Sequence, residues 1–269
     1  QGKLEHIHLF VSRNKVFDKE DVLQETIIIK VRKTEKIPQS VTITSSKSNN
    51  DFGDLTSLIV PYDLVVSGKD YYVYLVTNEE EVHVLEQLHK FNKTLPDIGL
   101  KMKTGLTVDF RNRDILRDTE EEGAIPLFYS QHIKRGKVQF PIQKEHEYVV
   151  TDQKGLMQEN RNYLFVKRFT AKEEHRRLQC GVYLAKNYPQ YSKISTQNKI
   201  NFVDGLLHEM SECLVYGLYV LFNSTLYDEY YRILNGSTQV NSTEINAMPV
   251  PDLECIQEMG RKLMKSKDL

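Results

Sequence analysis

A polar, glycine-punctuated loop at residues 234–251 most constrains how the C-terminal part of this chain folds. The aromatic stretch from Ser211 to Leu234 has apolar spacing typical of one long helix, which this loop must end. Pro251 opens a second predicted helix that extends to Lys265. The loop is rich in amide side chains, and an amide carries both the donor and the acceptor needed to read a base edge. The sequence therefore predicts two C-terminal helices, separated by a segment that either turns the chain or makes polar contacts.

The region before this loop has a pattern of short strands separated by turns. The β-branched run from Thr26 to Val31 is typical of a buried strand, and Asn78 is predicted to cap a helix that extends to Leu95. Further short strands are predicted at 7–10, 41–44, 105–110, 124–129, 137–140, 162–168 and 198–203. We therefore predict a mixed α+β fold with a β-rich centre.

The formal net charge is −1, but the charges are unevenly distributed. No Asp or Glu lies between Gly123 and Lys144, or between His175 and Val203. The basic residues of these two acid-free stretches are Lys134, Arg135, Lys137, Arg176, Arg177, Lys186, Lys193 and Lys199. One such stretch alone is equally well explained by a solvated surface, whereas two in one chain favour a polyanionic partner.

The sequence contains no Gly-rich phosphate loop and no G-x-S-x-G, H-E-x-x-H or C-x-x-C motif. His6 and His8 lie on one face of a predicted strand without a third ligand nearby in sequence, so we predict no metal site. The longest apolar run, from Cys213 to Phe222, is about half as long as a membrane span. The residues themselves thus indicate a binding domain without a catalytic apparatus or a membrane partner.

Two stretches carry a resemblance to a known family. The first consists of Ile7-His8-Leu9-Phe10, Ser12-Arg13, Phe17 and Val22-Leu23-Gln24-Glu25-Thr26-Ile27-Ile28-Ile29, and the second is the loop at 234–251. They resemble the end of the catalytic domain and the target-recognition domain of N6-adenine DNA methyltransferases from restriction-modification systems. The resemblance implies that residues 1–60 are the C-terminal strands of an incomplete Rossmann-like methyltransferase domain. It also implies that residues 61–269 form a DNA target-recognition domain.

In this family the S-adenosylmethionine loop and the Asn/Asp-Pro-Pro-Tyr catalytic motif lie upstream, and neither occurs in this sequence. The resemblance therefore implies S-adenosylmethionine as cofactor of the full-length enzyme. It also implies that this fragment alone binds none, holds no catalytic residue and is inactive. Because the sequence begins with Gln1 and not with an initiator Met, we expect the chain to be part of a longer protein. Phe17 matches an aromatic that stacks on the flipped adenine in related enzymes, although it could equally be a core plug.

A third stretch, from Gly123 to Val138, resembles the strand and polar turn that contact DNA in these recognition domains and in type I specificity subunits. The DNA-binding candidates that the resemblance implies are Arg111, Arg113, Gln131, His132, Lys134, Lys137, Lys167, Arg168, Thr238, Gln239 and Asn241. Lys and Arg are expected to contact phosphates, whereas Gln, Asn, Thr and His are expected to read base edges. For Gln239, a side chain that caps the turn after Gly236 is the alternative.

The predicted function is therefore DNA sequence recognition and positioning of the target adenine for a site-specific adenine-N6 methyltransferase in a bacterial cytoplasm. The predicted partners are double-stranded DNA, the upstream catalytic domain of the same protein and a cognate restriction endonuclease. Two alternatives stay open. One is a stand-alone specificity subunit of a type I-like restriction system, against which the strands at residues 4–31 argue. The other is a β-domain that binds carbohydrate or protein instead of DNA.

Overall fold

The computed structural model describes residues 2–12, 15–16, 26–53, 55–68, 71–171 and 173–266. The chain forms two units, Gln1–Lys90 with Glu229–Gly236 and Phe91–Asp228 with Ser237–Leu269. The predicted boundary at residue 60 lies inside the first unit, and the assignment of catalytic and recognition domains stays a prediction. Helices and strands are mixed, and helices end the chain, which confirms the predicted α+β class. None of the helices in the described ranges is long and apolar enough to cross a membrane.

The first unit contains a four-stranded mixed sheet. Its strands are β1 (Gly2–Phe10), β2 (Thr26–Lys33), β3 (Ser40–Ser46) and β4 (Thr56–Pro61), in the order β2-β1-β3-β4. β1 is antiparallel to β2 and parallel to β3, whereas β3 is antiparallel to β4. Ile7, Val41 and Ile43 from the two central strands are fully buried. The chain continues through α1 (Tyr62–Val65), β5 (Val66–Ser67), β6 (Tyr72–Val73) and α2 (Glu79–Leu88).

Strand β2 lies at an edge of this sheet and carries exposed apolar side chains. Ile27, Ile28, Ile29 and Val31 are between 44% and 56% exposed. The strand itself confirms the prediction, but its predicted burial is wrong. Within the described residues β1 alone pairs with β2, and successive side chains point to opposite faces, so both faces of β2 meet solvent.

Helix α2 begins as predicted and ends early. The Asn78 side chain accepts a hydrogen bond from the Glu81 amide at 2.8 Å, as expected of an N-cap. The helix ends at Leu88, so its predicted end at Leu95 is wrong. The physical reason is that Lys93 forms a β-bridge, which requires extended backbone in place of another helical turn.

The second unit contains two sheets built from short strands. These strands are β7 (Leu100–Thr104), β8 (Leu116–Arg117), β9 (Ile125–Phe128), β10 (Ile133–Lys134), β11 (Lys137–Val138), β12 (Tyr148–Val149), β13 (Gln158–Glu159), β14 (Tyr163–Lys167), β15 (Cys180–Tyr183), β16 (Lys193–Thr196) and β17 (Ile200–Gly205). The six-stranded sheet has the order β10-β11-β15-β14-β17-β7, and the five-stranded sheet has the order β13-β16-β9-β12-β8.

Aromatic rings form the core between these two sheets. Phe165 on β14, Tyr183 on β15 and Phe202 on β17 join Phe128 on β9 and Ile194 on β16 in one buried cluster. The Phe128 ring centroid lies 5.5 Å from that of Phe165 and 5.1 Å from that of Tyr183. Helix α3 (Glu212–Asn223) packs against β14 and β15, so the six-stranded sheet is supported by a helix as well as by the second sheet.

The prediction of one long helix from Ser211 to Leu234 is wrong. Helix α3 ends at Asn223, and a separate helix, α4 (Thr225–Leu234), follows it. Ser224 between them has extended backbone, with ψ 149°. Its hydroxyl donates to the Leu221 carbonyl at 2.7 Å and accepts from the Tyr227 amide at 3.3 Å. One serine thus ends the first helix and caps the second.

The loop predicted at 234–251 contains a short helix, α5 (Ser242–Ala247), and is followed by the predicted final helix, α6 (Leu253–Ser266). Helices α3 and α6 approach closely through two glycines. A Cβ at Gly217 would lie 1.8 Å from the Ile256 carbonyl oxygen, and one at Gly260 would lie 1.7 Å from the Cys213 carbonyl oxygen. Neither position therefore accepts a larger residue without separating the helices.

The strand predicted at 105–110 is also wrong, since the strand here is β7 and ends at Thr104. Asp109–Arg111 forms a 3-10 turn, and the Asn112 side-chain amide donates to the Val108 carbonyl at 2.7 Å. A local side-chain bond thus replaces strand pairing. The other predicted strands overlap observed strands.

Candidate nucleic-acid interface

Five segments meet at one end of the six-stranded sheet. Both β7 and β14 are antiparallel to β17, with Thr104 opposite Asn201 and Lys167 opposite Ile200, so their ends lie beside the start of β17. The β10–β11 turn lies at the same end, because β11 is parallel to β15 and β15 is antiparallel to β14. We call residues 105–113, 134–137, 167–170, 197–199 and 237–241 the loop surface.

The β10–β11 hairpin brings three exposed cations to the loop surface. Lys134 and Lys137 pair across the hairpin, and the residues between them, Arg135 and Gly136, have φ of 49° and 79°. These angles are typical of the tight turn that matches the twist of paired strands. A Cβ at Gly136 would lie 2.3 Å from Tyr219 Oη on α3, so the hairpin rests against this helix.

The segment after β14 pairs with the segment before α5. The Val240 amide donates to the Arg168 carbonyl at 2.7 Å, and the Thr170 amide donates to the Thr238 carbonyl at 3.1 Å. Between these bonds, Phe169 and Gln239 form an antiparallel bridge. The pairing therefore brings together three residues that the sequence analysis singled out separately, Arg168, Thr238 and Gln239.

The buried Arg177 side chain holds the segment before α5 in place. Arg177 is fully buried, and its Nη2 donates to the Ser237 carbonyl at 2.7 Å. Its Nε donates to Thr170 Oγ1 at 3.4 Å, and its amide donates to Asp228 Oδ1 at 2.6 Å. Sequence reasoning had counted Arg177 among the cations available to a polyanion. No sequence signal distinguishes it from the adjacent Arg176.

The loop after β7 lies against the turn before β17. The Thr107 amide donates to the Thr196 carbonyl at 3.1 Å, and the Asn198 amide donates to the Thr107 carbonyl at 2.9 Å. Arg168 Nη1 in turn donates to the Asn198 carbonyl at 2.9 Å. Asn198 therefore connects two parts of the loop surface, and sequence reasoning missed it because backbone groups make these contacts.

His132 is buried and does not face the surface, so the prediction that it reads DNA is corrected. It is fully buried, with Nε2 2.7 Å from Glu147 Oε1, and the Tyr129 amide donates to Nδ1 at 2.8 Å. Because Nδ1 accepts a hydrogen bond, the neutral ring carries its proton on Nε2, and this N–H donates a hydrogen bond to Glu147 Oε1. Burial lowers the pKa of His132, which favours this neutral form.

The remaining candidates differ in exposure. Arg111, Arg113, Gln131 and Thr238 are exposed. Half-buried candidates already have protein partners: Lys167 Nζ donates to Gln179 Oε1 at 2.9 Å, and Asn241 Nδ2 donates to Glu244 Oε1 at 3.2 Å. The Gln239 amide donates to Ser237 Oγ at 3.2 Å, in keeping with a turn, while its half-buried side chain belongs to the loop surface. Their contacts with DNA stay predictions.

The second acid-free stretch is partly neutralised by acids from other parts of the chain. Lys186 Nζ lies 2.5 Å from Glu212 Oε2, and Lys193 Nζ lies 3.9 Å from Glu159 Oε1. Lys199, in contrast, is exposed on the loop surface. Carboxylates from other parts of the chain therefore lie beside a stretch whose own sequence contains no acid.

Phe17, the predicted base-stacking residue, lies outside the described residues. Within the described ranges no three His, Cys, Asp or Glu side chains lie close enough together to hold a metal ion. His6 and His8 instead share a hydroxyl, since His6 Nε2 and His8 Nδ1 each lie 2.9 Å from Thr44 Oγ1.

The chain is similar in sequence to two type II methyltransferases. No family model matches the sequence. The chain is 35% identical over 269 residues to the type II methyltransferase M.PstI of Providencia stuartii and 31% identical over 268 residues to the type II methyltransferase M.BsuBI of Bacillus subtilis. These alignments cover 97% and 98% of this chain and 52% and 53% of those proteins, so the chain spans about half the length of these relatives.

Among solved structures with a similar fold is a restriction-modification enzyme. The type IIL restriction-modification enzyme MmeI, in complex with DNA, aligns with a TM-score of 0.53 at 13% identity. The alignment covers 99% of this chain and 38% of that one. At this identity the likeness concerns the fold alone.

Proposed function

We propose that this chain, a homologue of part of the type II methyltransferases of restriction-modification systems, supplies DNA sequence recognition and target-adenine positioning. The full-length enzyme would be a site-specific adenine-N6 DNA methyltransferase. The observation that carries the proposal is the loop surface. It combines exposed cations from the β10–β11 hairpin with amide and hydroxyl side chains beside Arg168, which are the two groups needed for phosphate contact and base reading.

The two kinds of contact have different roles. Lys134, Lys137 and Arg111 are exposed and suit phosphate contacts, which fix the register of the protein on the duplex. Gln239 on the loop surface suits a base edge, because a glutamine amide offers a donor and an acceptor in one plane. Gln131 offers the same groups from an exposed position before β10, outside the loop surface. Thr238 and Asn241 extend the same set of polar groups.

We further propose that the four-stranded sheet is the end of the catalytic domain. The edge strand β2 offers backbone donors and acceptors beside Ile27, Ile28 and Ile29, all of which are exposed. Such an edge is suited to pairing with a further strand, and the upstream part of the enzyme would provide it. That part would also bind S-adenosylmethionine and hold the catalytic motif, with Phe17 of this chain stacking on the flipped adenine.

The proposed setting is the bacterial cytoplasm, with double-stranded DNA as substrate and a cognate restriction endonuclease as the enzyme's counterpart. A stand-alone specificity subunit and a β-domain that binds carbohydrate or protein are less well supported, because the homologous proteins are methyltransferases.

Methylation of a randomised-site DNA library by the intact enzyme tests the proposal. The wild type should methylate adenine N6 within one short sequence, and Gln239→Ala or Gln131→Ala should relax the preference at one position. Lys262→Ala, an exposed cation on α6, serves as the matched control and should leave the sequence profile unchanged. Absence of site-specific adenine methylation by the wild type would contradict the assigned activity. Unchanged profiles in both glutamine variants would remove these residues from base reading.

A further inference from the structure

Three large apolar side chains are exposed on the loop surface. Leu106 is 61% exposed, Phe110 is 63% exposed and Phe169 is 45% exposed. Single exposed apolar residues are common on protein surfaces, whereas several on one binding surface indicate contact with a partner. Both phenylalanines belong to segments that the DNA-binding proposal uses, but neither phosphate contact nor base-edge hydrogen bonding explains a phenyl ring.

Each of these rings has an arginine beside it. The Arg111 guanidinium carbon lies 5.5 Å from the centroid of the Phe110 ring, and the Arg168 guanidinium carbon lies 5.7 Å from that of Phe169. The cation and the ring thus form one unit, in which the charge can bind a phosphate while the ring contacts bases. The repetition of this unit on two separate segments favours a nucleic acid over an apolar protein surface.

Both rings are carried on fixed backbone. The Phe110 amide donates to Asp109 Oδ1 at 2.9 Å, within the 3-10 turn that the Asn112 side chain also holds. Phe169 lies within the bridge to Gln239. A ring on a fixed support loses little conformational freedom on binding, so it is suited to insertion into a partner.

We propose that Phe110 and Phe169 insert at base steps of duplex DNA and that the enzyme selects its site in part by how easily these steps deform. This inference rests on the proposed DNA recognition and adds a second mode to it, indirect readout. The strands that carry the two segments, β7 and β14, flank β17 and are therefore about 9.5 Å apart, two strand spacings. Phe169 lies two residues beyond β14 and Phe110 lies six residues beyond β7, on separate segments, so we assign the two rings to different base steps.

The test uses the intact enzyme and duplexes that carry its methylation site, labelled at both ends for energy transfer or with 2-aminopurine placed at successive positions. Wild-type enzyme should bend the duplex and raise 2-aminopurine fluorescence at a step other than the flipped adenine. Phe110→Ala or Phe169→Ala should abolish the fluorescence rise at one step and reduce the bend. Affinity for the specific site should fall about 5- to 150-fold, the range measured for one stacked aromatic.

Two further variants make the result specific. Phe110→Leu keeps an apolar side chain and should retain part of the bend. Leu207→Ala is the matched control, because Leu207 is 84% exposed just beyond Gly205, at the opposite end of β17, and should change neither bend nor affinity. Affinity for non-specific DNA should change less than about twofold in all variants, since phosphate contacts dominate it.

The outcomes separate the two proposals. If wild-type enzyme binds and methylates its site without bending or unstacking the duplex elsewhere, the insertion is wrong while DNA recognition stands. The same holds if Phe110→Ala and Phe169→Ala, with unchanged thermal stability, distort DNA as the wild type does. If the wild type shows no site-specific DNA binding, both proposals are wrong.

Discussion

Replacing Glu147 with Gln should destabilise the turn around His132 without changing the DNA site preference. The buried carboxylate accepts three hydrogen bonds: Oε1 from the Ile142 amide at 2.8 Å and from His132 Nε2 at 2.7 Å, and Oε2 from the Lys144 amide at 3.0 Å. Glutamine has one oxygen, so its NH2 group would face one of these donors. One buried donor without an acceptor costs about 1–3 kcal/mol, and two bonds that lose their charge add about 0.5–1.5 kcal/mol each, so we expect about 2–6 kcal/mol.

Hydrogen exchange followed by mass spectrometry on the intact enzyme measures this local effect. A loss of 2 kcal/mol corresponds to about 30-fold faster exchange, so peptides covering residues 129–149 should lose protection by at least that factor. Glu145→Gln is the matched control, because Glu145 is exposed in the same loop and should leave protection unchanged. Methylation of a randomised-site library should give the wild-type sequence profile for both variants.

The opposite pattern would refute the structural role of this pair. If Glu147→Gln kept normal protection while its methylation profile changed, the pair would act on DNA, as the sequence analysis predicted for His132. If Glu147→Gln lost no more protection than the control Glu145→Gln, the three hydrogen bonds would not stabilise the turn.

The other predictions concern charge, base reading, backbone conformation and pH. Lys134→Ala should weaken binding of the intact enzyme to all DNA sequences about equally and reduce the slope of log affinity against log salt by about 0.9; an unchanged slope in a salt titration would exclude a phosphate contact. Gln131→Ala, if this residue reads a base, should reduce discrimination at one site position by about 1–3 kcal/mol in a methylation screen. Gly136→Ala should lower thermal stability, because alanine is strained at φ 79° and its Cβ would displace Tyr219, at a cost of about 1–3 kcal/mol. Because the folded-state pKa of His132 is lowered from 6.5, the unfolded chain binds the proton first, so stability should fall as pH drops below 6.5, and less steeply in His132→Gln; equal melting curves across this range would contradict the neutral buried ring.

Seven of the eight strands predicted from local sequence patterns overlap observed strands, because β-branched and aromatic runs bounded by turn residues have few other stable conformations. The patterns missed the other ten strands of the described residues, six of which are only two residues long. They did not predict the break at Ser224, since the apolar spacing on both sides continues the same helical pattern. The serine hydroxyl bonds to Leu221 and Tyr227 only once the backbone has turned, so the break depends on a local competition that spacing does not reveal.

Burial was harder to predict than strand position. The run from Ile27 to Val31 is apolar enough for a sheet interior, yet each of its larger apolar side chains is exposed because β2 is an edge strand. Conversely, His132 and Arg177 are polar residues that the sequence placed at the surface and the fold buries, each with partners distant in sequence. Which partner a polar residue meets depends on the topology of the sheets, and no spacing rule contains that information.

The number of cations that the two acid-free stretches can offer to DNA also depends on the fold. This number limits the salt dependence of the proposed DNA binding. Eight cations in sequence would give a slope of about 7 for log affinity against log salt, at about 0.9 for each phosphate contact. Arg177 is buried, and Lys186 and Lys193 pair with carboxylates, which leaves five of the eight and a slope of at most about 4.5 from these stretches. The proposed contact of DNA with one end of one sheet is therefore compatible with a net charge of −1, because carboxylates from other parts of the chain pair with Lys186 and Lys193 and the fold buries Arg177.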